Sequence, residues 1–403
     1  MGAGVVTRWS RRFVAASAVF LVAWQVGALA DGLGAASAVA VPRRTRVVLA
    51  VYGFVLHAVF GKAYSLVPSY FDRSLAPVRA PAVHFPLTVL GAMGLAAAPL
   101  AGVPELAGTL GALSWSAGVT VFVAALAWTV RDNPTGRETG TGGANAHRRG
   151  VDRLANAFVP VVLAYLAVGS YATLASYLGL PGFETLAAAR TAHLLAAGVA
   201  ALLIFAVGFR LFPRFLVASP PRPLVGVVLA AGAVGPAVLA AGLYREPLFR
   251  AGAALEALAV VGFALAYALL FARSERRRVG FYAVLSGAAA GVCGVSLGLG
   301  FAFASLAASP ALTAVHLRLN VLGFLGLTVV GATYQFYPPT VGRFPGASDR
   351  SALASVALLA VGLLAELGGA LADSPPAVLA GRTSALAGAL VFAGLVLGVF
   401  AER

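Results

Sequence analysis

The chain has 403 residues, of which 60% are hydrophobic and only 11% are charged, and its mean hydropathy is +0.90. Roughly a quarter of the residues are charged in an ordinary soluble domain, so this composition excludes a water-soluble globular protein. The formal net charge of +15 does not indicate nucleic-acid binding, because the arginines sit in short loops between apolar runs, where they set topology and meet anionic lipid.

Apolar runs long enough to span a bilayer recur along the whole chain. In hydrocarbon every backbone N–H and C=O must be paired within the protein, so these runs, rich in alanine, leucine and glycine, are predicted to be helices rather than strands. We predict an all-α polytopic membrane bundle of about 12 transmembrane helices. The predicted spans are residues 13–37, 46–68, 80–103, 106–130, 154–180, 186–212, 222–243, 250–272, 279–307, 311–337, 351–372 and 376–400.

We predict that the whole chain, residues 1–403, is a single integral membrane domain. Segments on the side of the N-terminus hold 20 arginines and those on the other side hold seven, which predicts cytoplasmic N- and C-termini. Residues 131–153 are polar and rich in glycine and threonine, which predicts a flexible cytoplasmic linker that carries a solvated His147.

The N-terminus has features of a signal peptide. Three arginines precede the first apolar run, and Ala28–Ala30 resembles a small-residue cleavage site before Asp31. We expect an uncleaved first helix instead, because it completes a repeat of four helices.

That repeat is visible in helices 2 and 10, which share four anchors at identical spacings of eight, three and four residues. The anchors are Gly53, Gly61, Tyr64 and Pro68 in helix 2, and Gly323, Gly331, Tyr334 and Pro338 in helix 10. Helix 6 keeps the outer frame, with Gly198 fifteen residues before Pro213. We therefore predict three pseudo-symmetric groups of four helices, at about 13–130, 154–272 and 279–400.

Four of the five histidines lie in predicted spans, namely His57, His84, His193 and His316. Imidazole inside a membrane is costly and is by default a functional hypothesis. Imidazoles from facing helices are what a haem iron or another metal ion needs in a bundle core. Each histidine also has a plainer interpretation, a hydrogen bond to a neighbouring helix, and this is favoured for His57 and His84. Cys293, the single cysteine, allows neither a disulfide nor covalent c-type haem attachment within this chain.

Ionisable residues inside the spans form a second set of candidates: Lys62, Glu256, Arg318 and Glu366. They indicate either a proton relay or substrate counter-charge, or structural ion pairs. A group of arginines is expected at the outer face, where they would hold haem propionates or anionic lipid, or would only fix topology. These are Arg43, Arg44, Arg46 and Arg382.

Three segments resemble helices of the catalytic subunit of haem-copper oxidases, and more specifically of their distant C-type and NnrS-like relatives. The segments are residues 316–342, 192–215 and 52–75, which resemble helices 10, 6 and 2. The resemblance implies twelve helices in three groups of four, and metal-binding histidines on helices 2, 6, 7 and 10. It also implies the plasma membrane of a prokaryote and, as partners, the lipid bilayer and other membrane redox subunits.

The chain departs from the family pattern at several sites. The family's His-x-His of helix 10 reads His316-Leu317-Arg318 here, and helix 7 has no histidine. We therefore expect neither a three-histidine copper site nor dioxygen reduction by the usual mechanism. Only His193 and His316 carry over as metal or haem ligand candidates. His57 is a weaker third candidate for cofactor binding, since it lies about three turns deeper relative to its repeat proline.

The resemblance thus implies a b-type haem between helices 2, 6 and 10, for membrane redox chemistry or nitric oxide handling. One imidazole would hold the iron and an open position would bind a small ligand. Whether the chain is an enzyme, as a respiratory oxidoreductase subunit, is left open. The alternatives are a small-solute transporter or channel, with the ionisable residues along its path, and a cofactor-free subunit of a membrane complex.

Overall fold

The computed structural model describes residues 2–33 and 41–402, and this part of the chain is helical with no strand. Twelve of the helices are long and apolar enough to cross a membrane, so the predicted helical bundle is confirmed. They are α1 (Gly2–Gly32), α2 (Arg43–Tyr70), α3 (Ala80–Ala97), α4 (Glu105–Val130), α5 (Val159–Leu178), α6 (Ala187–Leu216), α7 (Arg222–Gly242), α8 (Leu248–Arg273), α9 (Val279–Ala302), α10 (Pro310–Val341), α11 (Asp349–Leu371) and α12 (Pro375–Ala401).

The helix ends differ from the predicted ends by several residues. Helix α1 begins at Gly2 rather than at residue 13, and residues 34–37 of its predicted span lie outside the described part. Helix α3 ends at Ala97, before Pro99, and α9 ends at Ala302 although the following loop is still apolar. Hydropathy cannot locate a helix end inside an apolar loop, which explains these differences.

Successive helices run in opposite directions, so the described chain ends lie at the same end of the bundle. We call this the proximal end, and the opposite end, where α2 and α6 begin, the distal end. Helices α2, α6 and α10 form the centre, since 72–78% of their most apolar stretch is buried against 44–56% in the other nine described spans. Antiparallel pairs such as α3 with α4 and α11 with α12 surround them.

Each central helix is interrupted by a π-helical segment: Leu49–Val55, Leu194–Ala201 and Leu319–Leu327. The three segments pack against one another in the middle of the bundle. Such turns are rare inside α-helices and are frequent at functional sites, because the added residue changes the face that the following side chains occupy.

Glycines of the repeat let each central helix approach the helix that precedes it in the chain. A β-carbon added at these positions would lie within about 2.6 Å of an atom of that neighbour. Gly53 meets Phe20 in α1, Gly198 meets Tyr165 in α5, and Gly323 meets Ala290 in α9. Such contacts replace the hydrophobic driving force that is missing between helices in lipid. The three-group symmetry itself stays a prediction.

The polar segment 131–153 is anchored to the proximal end rather than extended away from it, which differs from the flexible linker that its composition predicts. Asp152 is fully buried and accepts hydrogen bonds from Arg214 of α6 at 2.7 and 3.2 Å. Asn133 donates to the carbonyl of Phe71 at 3.0 Å. Composition does not predict this anchoring, because the sequence does not show whether an aspartate is buried or exposed to solvent. His147 is exposed, as expected.

Replacing Gly331 by alanine tests the close packing of α10 on α9. The added β-carbon would meet the backbone carbonyl oxygen of Gly280, which cannot rotate away. We expect a loss of about 1–3 kcal/mol of stability, measured as a lower thermal unfolding midpoint in detergent. The matched control is Gly226→Ala in α7, where the added carbon meets nothing within 4 Å. Equal midpoints for the two variants would contradict the packing.

Candidate functional site

A cavity of about 700 Å³ occupies the distal half of the bundle. It extends from Arg43 and Leu186 at its mouth to Phe205 and Phe324 near mid-height, and its walls come from α2, α3 and α5 to α10. The volume lies within the range of small-molecule and cofactor sites, about 300–1,000 Å³. Most of the lining side chains are apolar, so a few polar groups stand out.

His193 and His316 both line this cavity, on α6 and α10. Nδ1 of His193 lies 2.9 Å from the carbonyl oxygen of Ala189, and Nδ1 of His316 lies 2.9 Å from that of Gly294 in α9. A carbonyl oxygen can only accept, so Nδ1–H is the donor in both bonds and each Nε2 keeps its lone pair. Among the described residues neither Nε2 has a hydrogen-bond partner.

The local structure explains how His316 faces the cavity. It lies one turn before the π-helical segment of α10, and Asn320 donates from its amide to the His316 carbonyl at 2.8 Å. Gly294 and Gly298 of α9 leave room for both side chains, since a β-carbon at Gly298 would lie 3.1 Å from the His316 ring. The imidazole is therefore held between two helices.

His57 does not join the other two histidines. It is fully buried among the rings of Phe13, Phe20 and Trp115, and its Nδ1 donates to the Tyr52 carbonyl at 2.8 Å. It does not line the cavity. The grouping of His57 with His193 and His316 as cofactor ligands thus has no support in the geometry, because His57 lies about three turns deeper in its helix than the other two.

His84 occupies the same aromatic cluster. Its Nδ1 lies 3.1 Å from the Tyr64 hydroxyl, which links α3 to α2. The ring packs on Phe60, with the two centroids 4.6 Å apart. This contact agrees with the plainer interpretation of His84 as a residue that bonds a neighbouring helix.

The mouth of the cavity is positively charged. Arg43 and Arg44 are exposed there, and the Arg44 guanidinium lies 4.7 Å from the centroid of the Tyr177 ring. Within the described ranges neither arginine is paired with a carboxylate. A cationic rim above an apolar interior suits an amphipathic anion.

Glu256 of α8 is the one carboxyl group among the described residues that line the cavity. Its Oε1 is buried and has no hydrogen-bond partner in residues 2–33 and 41–402. Polar groups without a partner are uncommon in buried positions, so this carboxyl group is a second candidate for function.

The remaining intramembrane charges are paired elsewhere. Glu366 of α11 is 1% exposed and lies 2.5 Å from Arg318 and 3.8 Å from Arg382. Asp31 of α1 lies 2.6 Å from Arg46 and 3.0 Å from Arg382. The interpretation as structural ion pairs therefore fits these residues, and Arg46 and Arg382 have carboxylate partners that Arg43 and Arg44 lack.

Lys62 of α2 is also remote from the cavity. Its ammonium nitrogen lies 3.6 Å from the centroid of the Phe336 ring and 4.9 Å from that of Tyr337, toward the proximal end. Such cation–π contacts stabilise a lysine without a carboxylate. Of the four intramembrane ionisable candidates, only Glu256 reaches the cavity.

The cavity offers two imidazole nitrogens, one each from His193 and His316, as possible metal ligands. No group of three or more histidine, cysteine, aspartate or glutamate residues that could hold a metal occurs in the described part of the chain. A bare zinc ion needs at least three such ligands, whereas haem supplies four nitrogens and needs one or two axial imidazoles. Two imidazoles with free Nε2 atoms in one cavity fit the second case.

No protein-family model matches the chain, and no curated protein matches it significantly.

Exchange of Glu366 for glutamine tests the buried ion pairs. The variant keeps the shape of the side chain but leaves Arg318 and Arg382 without their shared carboxylate. We expect a loss of about 3–5 kcal/mol of stability, because an uncompensated buried charge remains, and a lower thermal midpoint reports it. Glu275→Gln, at an exposed loop position, is the control and should unfold like the native chain. A Glu366→Gln midpoint equal to that control would rule out the pairing.

Proposed function

We propose that this membrane protein binds b-type haem in the distal cavity and acts in membrane redox chemistry or nitric oxide handling, as a distant relative of haem-copper oxidase subunit I. The observation that carries the proposal is the pair His193 and His316, which present unpartnered Nε2 atoms to one cavity of about 700 Å³. Other redox subunits of a prokaryotic plasma membrane would exchange electrons with it.

His316 is the proposed iron ligand. Its Nδ1–H bond to the Gly294 carbonyl orients the ring and raises the basicity of Nε2, as the outer partners of metal-bound histidines do. This bond joins two helices, whereas the bond of His193 to Ala189 stays within one turn of α6. We assign His193 the other role, contact with a small ligand that the haem would bind.

The rest of the cavity suits the other parts of haem. Phe205 and Phe324 lie in the apolar wall that would cover the macrocycle and exclude water. Arg43 and Arg44 stand at the mouth, where the two propionates would reach charged partners. Bound haem supplies one-electron redox chemistry and an open position for a diatomic ligand.

His316→Ala is expected to abolish the Soret band of the purified protein, because the iron loses its axial nitrogen. The measurement is an absorption spectrum of the detergent-purified variant at matched protein concentration. His147→Ala, at an exposed histidine outside the cavity, is the control and should keep the full band. An unchanged spectrum in His316→Ala would exclude His316 as the ligand.

His193→Ala is expected to keep the Soret band and to change the spectrum of the reduced carbon monoxide complex, because the neighbour of the open position is lost. A reduced-plus-carbon-monoxide difference spectrum measures this. If His193→Ala loses the band as completely as His316→Ala does, both histidines bind the iron and the assignment of separate roles is wrong.

A small-solute transporter or channel is the second candidate, and Glu256 favours it. A partnerless carboxyl group at mid-height in a cavity with a distal mouth resembles a solute or ion site. This candidate predicts a colourless protein that moves a solute across proteoliposome membranes, with activity lost in Glu256→Gln. A colourless and inactive protein that co-purifies with other chains would favour a cofactor-free subunit of a membrane complex.

A further inference from the structure

We propose that Glu256 is a proton-binding site that opens into the distal cavity and exchanges its proton with water at the distal mouth. The site would exchange one proton for a cation that binds in the cavity, or would give that proton to an acceptor formed there. It does not depend on haem, since it rests on the surroundings of the carboxyl group alone.

The carboxyl group of Glu256 is isolated from other polar groups. Oε1 is sealed from solvent and has no donor among the described residues, and Cγ packs close to Gly235 of α7. The Tyr165 hydroxyl is already engaged, because it donates to the Ala233 carbonyl at 2.5 Å and accepts from the Ala237 amide at 3.1 Å. Of the residues that the structure describes in this wall, none donates a hydrogen bond to Oε1 of Glu256.

The other intramembrane glutamate, Glu366, has different neighbours. Glu366 forms ion pairs with two guanidinium groups, Arg318 at 2.5 Å and Arg382 at 3.8 Å. Glu256 forms no ion pair within the described ranges. A buried group without a counter-ion takes its neutral form, because the charged form would lose its hydration without replacement. In this proposal Glu256 is therefore protonated until a cation or a proton acceptor enters the cavity.

The cavity gives Glu256 a route to water. The cavity joins Glu256 at mid-height to the open mouth, so a proton needs no further opening of the bundle. Helices α7 and α9 present only apolar residues and glycines to this space. The titratable and charged groups that face it from other elements are His193 (α6), His316 (α10), Tyr165 and Tyr177 (α5), Arg43, Arg44 and Tyr52 (α2), and Tyr244 in the loop before α8.

The exchange is balanced in charge. A proton from water at the mouth adds to the carboxylate, which makes the neutral acid, and the same O–H bond breaks when the proton leaves. A cation that enters the cavity would displace this proton, and a proton acceptor formed there by reduction would take it. In both cases Glu256 stays a carboxylate until a proton returns from the mouth. In a redox protein this couples reduction to pH, and in a transporter it couples solute movement to the proton gradient.

Labelling of the native protein with dicyclohexylcarbodiimide tests the proposal. This apolar reagent reacts with protonated carboxyl groups inside membranes; the acid adds across one C=N bond, and the product rearranges to a stable N-acylurea. We expect peptide mass spectrometry to find the added mass on Glu256, with labelling that decreases toward alkaline pH. Glu366 is the internal control, because it forms ion pairs with Arg318 and Arg382, and it should stay unlabelled.

The outcomes are distinct. Labelling of Glu256 alone, with pH dependence, supports the site. No label on Glu256, equal labelling of Glu366, or labelling of Glu256 that does not change with pH would each overturn it. The Glu256→Gln variant should lose the label while its thermal midpoint is kept. The main test uses the native chain, so it does not depend on whether this variant folds.

Discussion

Close approach of helix backbones at glycines is the constraint on which the rest of the structure depends. Lipid gives helices no hydrophobic reason to associate, so contact between backbones must supply the attraction. Gly331 of α10 meets Gly280 of α9, and Gly61 of α2 meets the Ser10 carbonyl of α1. These contacts fix α2 and α10 in the centre with α6, and the π-helical segments of the three helices meet there. The cavity lies on the distal side of that junction.

The buried polar side chains fall into two groups, those with an oppositely charged partner and those without one. Asp152 and Glu366 are buried with arginine partners, and both tie together elements distant in sequence. Among the described residues, Oε1 of Glu256 and the Nε2 atoms of His193 and His316 have no protein partner, and the three residues line the same cavity. The Nε2 atoms of His57 and His84 also lack a hydrogen-bond partner, but they are buried away from the cavity. The position in a cavity, and not the missing partner alone, makes Glu256, His193 and His316 accessible to a ligand. This difference directs attention to the distal half of the bundle rather than to the buried charges as a class.

The sequence predicts the bundle well because apolar runs of bilayer length have one stable form in lipid. It also places His193 and His316 together, since both lie some twenty residues before their repeat prolines. It does not predict the π-helical segments, because their amino-acid composition does not differ from that of α-helices. It also does not predict the partner of His316, because that partner is a backbone carbonyl, which every residue has. It also treats Glu256 and Glu366 alike, because their difference arises only when Arg318 and Arg382 converge on one of them.

The most direct test of the central claim is the absorption spectrum of the native protein, purified in detergent from cells supplied with haem. Spectra of the air-oxidised and dithionite-reduced protein are combined with a pyridine haemochrome assay for type and amount. The account predicts a Soret band and about one b-type haem per chain. A colourless protein would contradict it, and His193 and His316 would then be polar residues of a cavity that serves another ligand.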